Sequence, residues 1–386
     1  MHSRLASVLA LKDFEPLARR ILPRPIYGYV EGAAEDNRSL SANRTAMDAW
    51  SLVPRVLVNV SARTQQQQIF GVTYASPFGI APMGLAALSC YRGDIALARA
   101  AREANIPAVL SGSSLTPLEA VAEAAPGTWF QAYLPGDIGR ILSLLERVRR
   151  AGYETLVITV DIPVGANREN NIRTGFSTPL KPSVRLAIDG LTRPQWLLGT
   201  FARTFLRDGM PHFENSFAER GAPILSRNVL RDFSARDHLD WSHIARIRSA
   251  WRGSLVLKGI LSADDMAHAV KAGVDGVIVS NHGGRQLDCA VAPMLVLERI
   301  IDAAGSLAVM VDGGFRRGSD VLKALALGAR FAFIGRPFNY AAAVAGGEGV
   351  AHAIQLLRYE VDRNMAMLGV NCCDDMTRTR LLPLVK

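Results

Sequence analysis

Gly276-Val277-Ile278-Val279-Ser280-Asn281-His282-Gly283-Gly284-Arg285-Gln286-Leu287-Asp288 passes from a β-branched apolar run into a polar loop tightened by two glycines. The apolar run reads as a buried parallel strand. A histidine and an arginine therefore stand just past the C-terminal end of a strand, the rim on which barrels of parallel strands carry their chemistry. His282 can take up a proton near neutral pH. Arg285 can grip a carboxylate through two parallel hydrogen bonds. A base beside a carboxylate clamp points to chemistry at the carbon next to a carboxyl group. A histidine alone is more often a satisfied core residue, but Arg285, Lys258 and Asp161 at the same rim argue for function.

Working outward from that strand, seven more short apolar runs are strand candidates: Phe78–Ala81, Ala108–Ser111, Trp129–Tyr133, Leu156–Val160, Leu255–Lys258, Ala308–Val311 and Phe331–Ile334, with Val277–Ser280 as the sixth of eight. Between them lie helical patterns such as Gly93–Ala104, Leu118–Ala124, Ile138–Ala151, Asp264–Ala272, Ala292–Ala303 and Ser319–Leu327. Strand and helix alternating eight times is the signature of an α/β (β/α)8 TIM barrel. An open doubly wound sheet is the competitor, but it would carry GxGxxG after its first strand, and Phe78–Gly84 does not. The 386 residues could hold two domains, yet α/β barrels often use this length as one. Residues 1–386 are therefore expected to form a single domain, with an N-terminal helical segment over 1–50 and a long insertion over 174–240 between strands four and five. Tyr27 and Tyr29 are expected between two of the N-terminal helices.

Composition narrows the partners. The chain is 49% hydrophobic and 20% charged, enough for a large core. Its formal charge of +9 is compatible with nucleic acid, an anionic membrane surface or a small anionic substrate. No zinc-finger spacing, RNP-type aromatic signature or basic repeat is present, so nucleic acid is not expected. The cysteines Cys90, Cys289, Cys372 and Cys373 form neither CxxC nor a spaced ligand set. A reduced intracellular protein without structural disulfides or metal is expected. Met1–Ala10 lacks the apolar run of a signal peptide, and no stretch is long enough to span a membrane. The first half of the insertion, 181–213, mixes Trp196, Leu197, Leu198, Phe201, Phe205 and Met210 with Lys181, Arg185, Arg193, Arg203 and Arg207. Such a segment can lie in a membrane interface, and it can equally be a lid packed on the barrel or on a neighbouring subunit.

Each remaining candidate falls at a strand's C-terminal end. Strand one ends in Ala81-Pro82-Met83-Gly84, where Gly84 leaves room for a flat ring. Strand two ends at Ser111, strand three at Gln131 and Tyr133, and strand four at Thr159-Val160-Asp161, with Arg168 following. Strand seven ends Asp312-Gly313-Gly314-Phe315-Arg316 and strand eight Gly335-Arg336. Two glycine-rich loops with an arginine each, after strands seven and eight, match the usual phosphate site of such barrels, although glycines also simply make turns. Lys258 is a lone cation closing an apolar run. It would stabilise the negative charge of a reduced flavin around N1 and O2, or serve as a Schiff-base lysine, or form a structural ion pair with Asp161 or Asp312. Asp161 could pair with His282 and stabilise its imidazolium, or cap the next helix.

Together these residues resemble the FMN-dependent L-2-hydroxy acid oxidising family, which includes glycolate oxidase, lactate oxidase, flavocytochrome b2 and bacterial mandelate and lactate dehydrogenases. The resemblance runs from about Phe14 to Leu368 and is most specific in Ser280–Asp288, Asp312–Gly318, Lys323–Ala329 and Gly335-Arg336. It implies His282 as the active-site base, Asp161 as its partner, Arg168 and Arg285 on the substrate carboxylate with Tyr29 helping, and Tyr133 close to the substrate hydroxyl. It implies that Lys258 faces flavin N1/O2. FMN would be held by Ala81, Pro82, Met83, Gly84, Ser111, Gln131, Thr159, Ser280, Asp312, Gly313, Gly314, Arg316, Gly335 and Arg336. Ser113 and Gly165 stand where plant glycolate oxidase has a tryptophan and a leucine, changes that would enlarge the pocket. Gly84 replaces the alanine typical of the oxidases, which points to a quinone-type acceptor rather than oxygen. The expected activity is oxidation of an (S)-2-hydroxy acid, mandelate-like or lactate, to the 2-oxo acid. The resemblance further implies a tetramer at the inner, cytoplasmic face of the cell membrane. The alternatives are an oxidase of the same family producing hydrogen peroxide, an isoprenoid diphosphate isomerase, against which the His282/Arg285 pair speaks, and a non-catalytic flavin-binding membrane protein.

Overall fold

In the computed structural model, which describes residues 4–177, 184–226 and 236–384, eight strands form one parallel sheet. They are β1 (Phe78–Ile80), β2 (Val109–Ser111), β3 (Trp129–Ala132), β4 (Thr155–Thr159), β5 (Ser254–Ile260), β6 (Gly276–Val279), β7 (Ala308–Asp312) and β8 (Phe331–Ile334). From β2 to β8 each strand pairs with the next, and β8 pairs with β1 through Ile334 and Ile80. A parallel bridge between Ile80 and Ala108 closes the cylinder. The expected barrel is present, with every strand within two residues of its expected bounds. The strands are predominantly apolar because both faces are buried, with polar residues mostly at their ends. Alternate residues divide between two layers. Val109, Trp129, Val157, Val256, Ile278, Met310 and Phe333 fill the interior, while Leu110, Phe130, Leu156, Ile158, Leu257, Val277 and Val311 pack against the helices.

Three features depart from the sequence expectation. Lys258 does not end its strand: β5 runs on to Ile260, with the register slipping between Lys258 and Ile260 around Gly259. Gly259 has φ +116°, and a Cβ there would meet the Asp161 side chain at 2.7 Å. Tyr27 and Tyr29 lie inside the helix Arg24–Glu31 rather than between helices. The N-terminal helices also sit over the C-terminal mouth of the barrel, because Gly284 and Gly314 lack side chains. A Cβ at Gly284 would meet the Leu40 backbone at 2.6 Å, and one at Gly314 the Asn43 carbonyl at 2.4 Å.

Two antiparallel strand pairs, one of them a hairpin, are not legible in the sequence. Trp50–Leu52 pairs with Leu381–Pro383, and Gln67–Ile69 with Val72–Tyr74. The second plugs the N-terminal end of the barrel, where Phe70 tilts onto Trp129 at 5.5 Å and Tyr74 meets Phe331 edge-on at 5.7 Å. After β8 the chain forms one long helix, Arg336–Leu368, broken at Ala345 and Gly346.

Within the insertion, Lys181 lies outside the described residues. The helices Val184–Leu191 and Pro194–Trp196 lead into a π-helical turn, Leu197–Ala202, and the helix Arg203–Asp208. Trp196 is buried, and its ring nitrogen donates to the Leu88 carbonyl at 2.7 Å, so this part of the segment packs on the barrel. Its other face is apolar and open to solvent, with Leu198 68% and Leu206 82% exposed beside Phe201 and Phe205. Among the described residues no helix is long and apolar enough to cross a membrane.

Candidate active site

The parallel register brings polar strand ends to one rim: Ser111 faces Gln131, Thr159 faces Lys258, and Asp312 faces Phe333. The loop after β6 supplies the centre. His282 adopts φ +57°, a left-handed conformation rare for a residue with a side chain and often found at functional sites. Its backbone N–H donates to Ser280 Oγ at 2.9 Å. Its Nδ1 lies 3.0 and 3.3 Å from the two Asp161 carboxylate oxygens. Asp161 therefore holds the histidine instead of capping a helix. Burial lowers the His282 pKa below its ordinary 6.5, and the charges of Lys258 and Arg168 add to this, while Asp161 opposes it. Burial alone would raise the Asp161 pKa, but His282 and Lys258 outweigh it and hold the carboxyl below its usual range. The ring is thus biased toward its neutral, proton-accepting form.

Lys258 is 3% exposed and is doubly held, 2.9 Å from Asp312 Oδ2 and 2.8 Å from Ser280 Oγ. The ion pair with Asp312 is among the partners its place in the sequence allows. Burial pulls its pKa down, but Asp312 and Asp161 more than compensate, so the ammonium persists. Arg285 Nη1 donates to the carbonyls of Tyr29 at 2.7 Å and Gly32 at 2.6 Å, and the guanidinium lies 4.9 Å from the centre of the Tyr29 ring. Arg168 Nε donates to the Arg285 carbonyl at 3.0 Å. Burial lowers the Arg285 pKa, and the charges of Arg168 and Arg336 lower it further.

One cavity collects most of the expected residues: Tyr29, Ala81, Pro82, Met83, Gly84, Tyr133, Arg168, Lys258, His282, Arg285, Asp312, Gly313, Gly314, Arg316, Gly335 and Arg336. Asp161 and Ser280 stand behind this lining, bonded to His282 and Lys258. Ser111, Gln131 and Thr159 are buried at the strand ends. Ser113 lines the cavity, whereas Gly165 is exposed and away from the lining, where a side chain would extend into open space. The sequence did not point to Arg44, Asn43 or Asn281. Asn43 and Asn281 exchange two 2.8 Å side-chain hydrogen bonds and bolt the N-terminal helix Arg38–Thr45 to the loop after β6. Arg44 reaches Asp320 at 2.8 Å beside Gly314. Nothing local marks such pairs, whose members lie 238 and 276 residues apart.

The sequence profile of FMN-dependent dehydrogenases matches residues 18–383. The chain belongs to the FMN-dependent dehydrogenase family. It is 38% identical over 369 residues to the (S)-mandelate dehydrogenase of Pseudomonas putida, covering 95% of this chain and 91% of that protein. It is 36% identical over 384 residues to the L-lactate dehydrogenase of Pectobacterium atrosepticum, covering 98% of each. The crystal structure of the monotopic membrane protein (S)-mandelate dehydrogenase superposes with a TM-score of 0.89 at 36% identity, covering 98% of this chain and all of that one.

The residues present fit the family's cofactor. Gln131 Nε2, Thr159 Oγ1 and Asp312 Oδ1 are buried with no hydrogen-bond partner among the described residues, a state that costs about 1–3 kcal/mol each until a partner arrives. They share the rim on which FMN-dependent dehydrogenases would need flavin partners. Gly313 and Gly314 have φ +101° and +87°, so this loop keeps a backbone that side chains would strain. Burial lowers the pKa of Arg316 and Arg336, which both line the cavity, and the Arg316 charge lowers that of Arg336 further. Two desolvated cations over a bare backbone suit a phosphate.

Proposed function

We propose that residues 1–386 form one FMN-binding barrel unit that oxidises an (S)-2-hydroxy acid, mandelate-like or lactate, to its 2-oxo acid. The observation that carries this reading is the His282–Asp161 pair at 3.0 Å opening into the same cavity as Arg168 and Arg285. A proton acceptor and two guanidiniums around one space match a substrate with a proton to lose next to a carboxylate to hold.

Arg168 and Arg285 bind the substrate carboxylate, and Tyr29, stacked beneath Arg285, lines its seat. His282 takes the substrate proton, and Asp161 stabilises the imidazolium that forms. Tyr133 stands near the substrate hydroxyl. Bound FMN supplies the two-electron acceptor. Ala81, Pro82, Met83 and Gly84 would lie along its ring, and Ser111, Gln131, Thr159 and Ser280 would satisfy its polar edge. Lys258 is the cation that would stabilise its reduced form. Asp312, Gly313, Gly314, Arg316, Gly335 and Arg336 would hold ribityl and phosphate. Gly84 and Ser113 keep the substrate end open, since a Cβ at Gly84 would lie 3.1 Å from Ser113 Cβ and 3.2 Å from the Tyr29 hydroxyl.

The electrons go to a quinone-type acceptor at a membrane surface, to which the exposed apolar face of 184–208 attaches the protein. The similarity to a monotopic membrane protein supports that attachment. We place the protein, as a tetramer, on the cytoplasmic face. The test is anaerobic addition of (S)-mandelate, L-lactate and glycolate in turn to the purified yellow protein. At least one of the first two should bleach its visible absorbance. An unbleached preparation with all three would refute the reading.

A further inference from the structure

Gln286 follows Arg285 on the loop after β6 and is half-buried. Its side-chain oxygen accepts a hydrogen bond from Arg168 Nη2, and its amide nitrogen donates to the Asp161 backbone carbonyl at 3.4 Å. Arg168 Nε is held by the Arg285 carbonyl. Two of the three guanidinium nitrogens are thus fixed by adjacent residues of one loop. Nη1 has no hydrogen-bond partner among the described residues, and Arg168 lines the active-site cavity.

The acceptors that hold Arg168 are a carbonyl and an amide, both neutral. A carboxylate at position 286 would form a charge-assisted pair with the same guanidinium. That pair would orient Arg168 equally well but cancel its charge. The neutral amide orients the arginine and leaves its full charge to an incoming anion. Its other end touches the backbone of Asp161, so the clamp and the residue that holds His282 share one brace.

We propose that Gln286 is a positioning residue that sets the enzyme's preference for a carboxylate: it aims Arg168 while keeping that cation uncompensated. The proposal rests on the reading of Arg168 as a carboxylate clamp. Its test uses two probes that cannot be oxidised, (S)-2-phenylpropionate and its methyl ester, titrated into the FMN-loaded protein by the change in flavin absorbance. In Gln286→Glu the Kd of the acid should rise roughly tenfold or more, and that of the ester less than about threefold. Gln286→Leu, which loses the brace without adding charge, should weaken the acid by about threefold to fivefold. Flavin content and thermal midpoint establish that each variant is folded. Equal weakening of acid and ester in Gln286→Glu, or none, would overturn the proposal. Arg168→Met on the same probes separates the two levels. An unchanged acid-to-ester ratio there refutes the clamp itself, whereas a collapsed ratio with an unaffected Gln286→Glu refutes only the role of Gln286.

Discussion

The two ends of the barrel are built from the same eight strands and look nothing alike. At the N-terminal end, Trp129, Phe331, Tyr74 and Phe70 interlock under a short hairpin, and the buried ring N–H of Trp129 is satisfied by the Tyr74 hydroxyl at 3.2 Å. At the C-terminal end, polar atoms without a partner among the described residues, a left-handed histidine and three desolvated guanidiniums share one rim. One end pairs the polar group it buries. The other leaves groups unsatisfied and conformations strained, a condition that persists only where a ligand completes the set. Stability and function are segregated along the barrel axis.

The largest expected effect is at the mouth. Asp161→Asn should lower kcat by about 10²- to 10⁴-fold while thermal stability changes little. The same residue governs the pH profile. His282 acts as a base in its neutral form, and its lowered pKa means that kcat/KM falls only as pH drops below the ordinary histidine value of 6.5. Asp161 opposes that lowering, so in Asp161→Asn the residual activity should fall off at a still lower pH. A break that moves upward would contradict the assignment. At the base of the barrel the pattern should invert. Trp129→Ala should cost about 3–5 kcal/mol in denaturant unfolding, yet turnover per folded, FMN-loaded molecule should remain near wild type. The smallest effect sharpens the contrast from outside the barrel. Phe205→Gln with Leu206→Gln should leave stability within about 0.5 kcal/mol and turnover unchanged. It should shift the protein from the pelleted membrane fraction to the supernatant, and unchanged sedimentation would contradict the membrane reading.

The mouth is far more legible in the sequence than the base. Strands buried on both faces declare themselves as unbroken apolar runs, and the catalytic groups follow them directly, so His282, Arg285 and the glycine loops can be read by position alone. The hairpin that plugs the base cannot. Its strands are three residues long, and Gln67 and Gln68 hide any alternation. Lys258 reads as a strand end because the slip at Gly259 is a matter of register, which composition does not encode. The pairs Asn43–Asn281 and Gln286–Arg168 are invisible for a different reason: each is a contact between distant segments that exists only once the barrel has closed. Of the N-terminal segment's two cavity residues, Tyr29 is expected from the family resemblance, whereas nothing in the sequence marks Arg44.

The central claim is that His282 is the base at a rim completed by FMN. It is tested most directly by rapid anaerobic mixing of (S)-mandelate, or L-lactate if that proves the faster substrate, with wild type and His282→Ala at equal flavin content. The account predicts that visible absorbance decays in both but about 100-fold or more slower in the variant, with no comparable loss of probe affinity. Equal decay rates would contradict it.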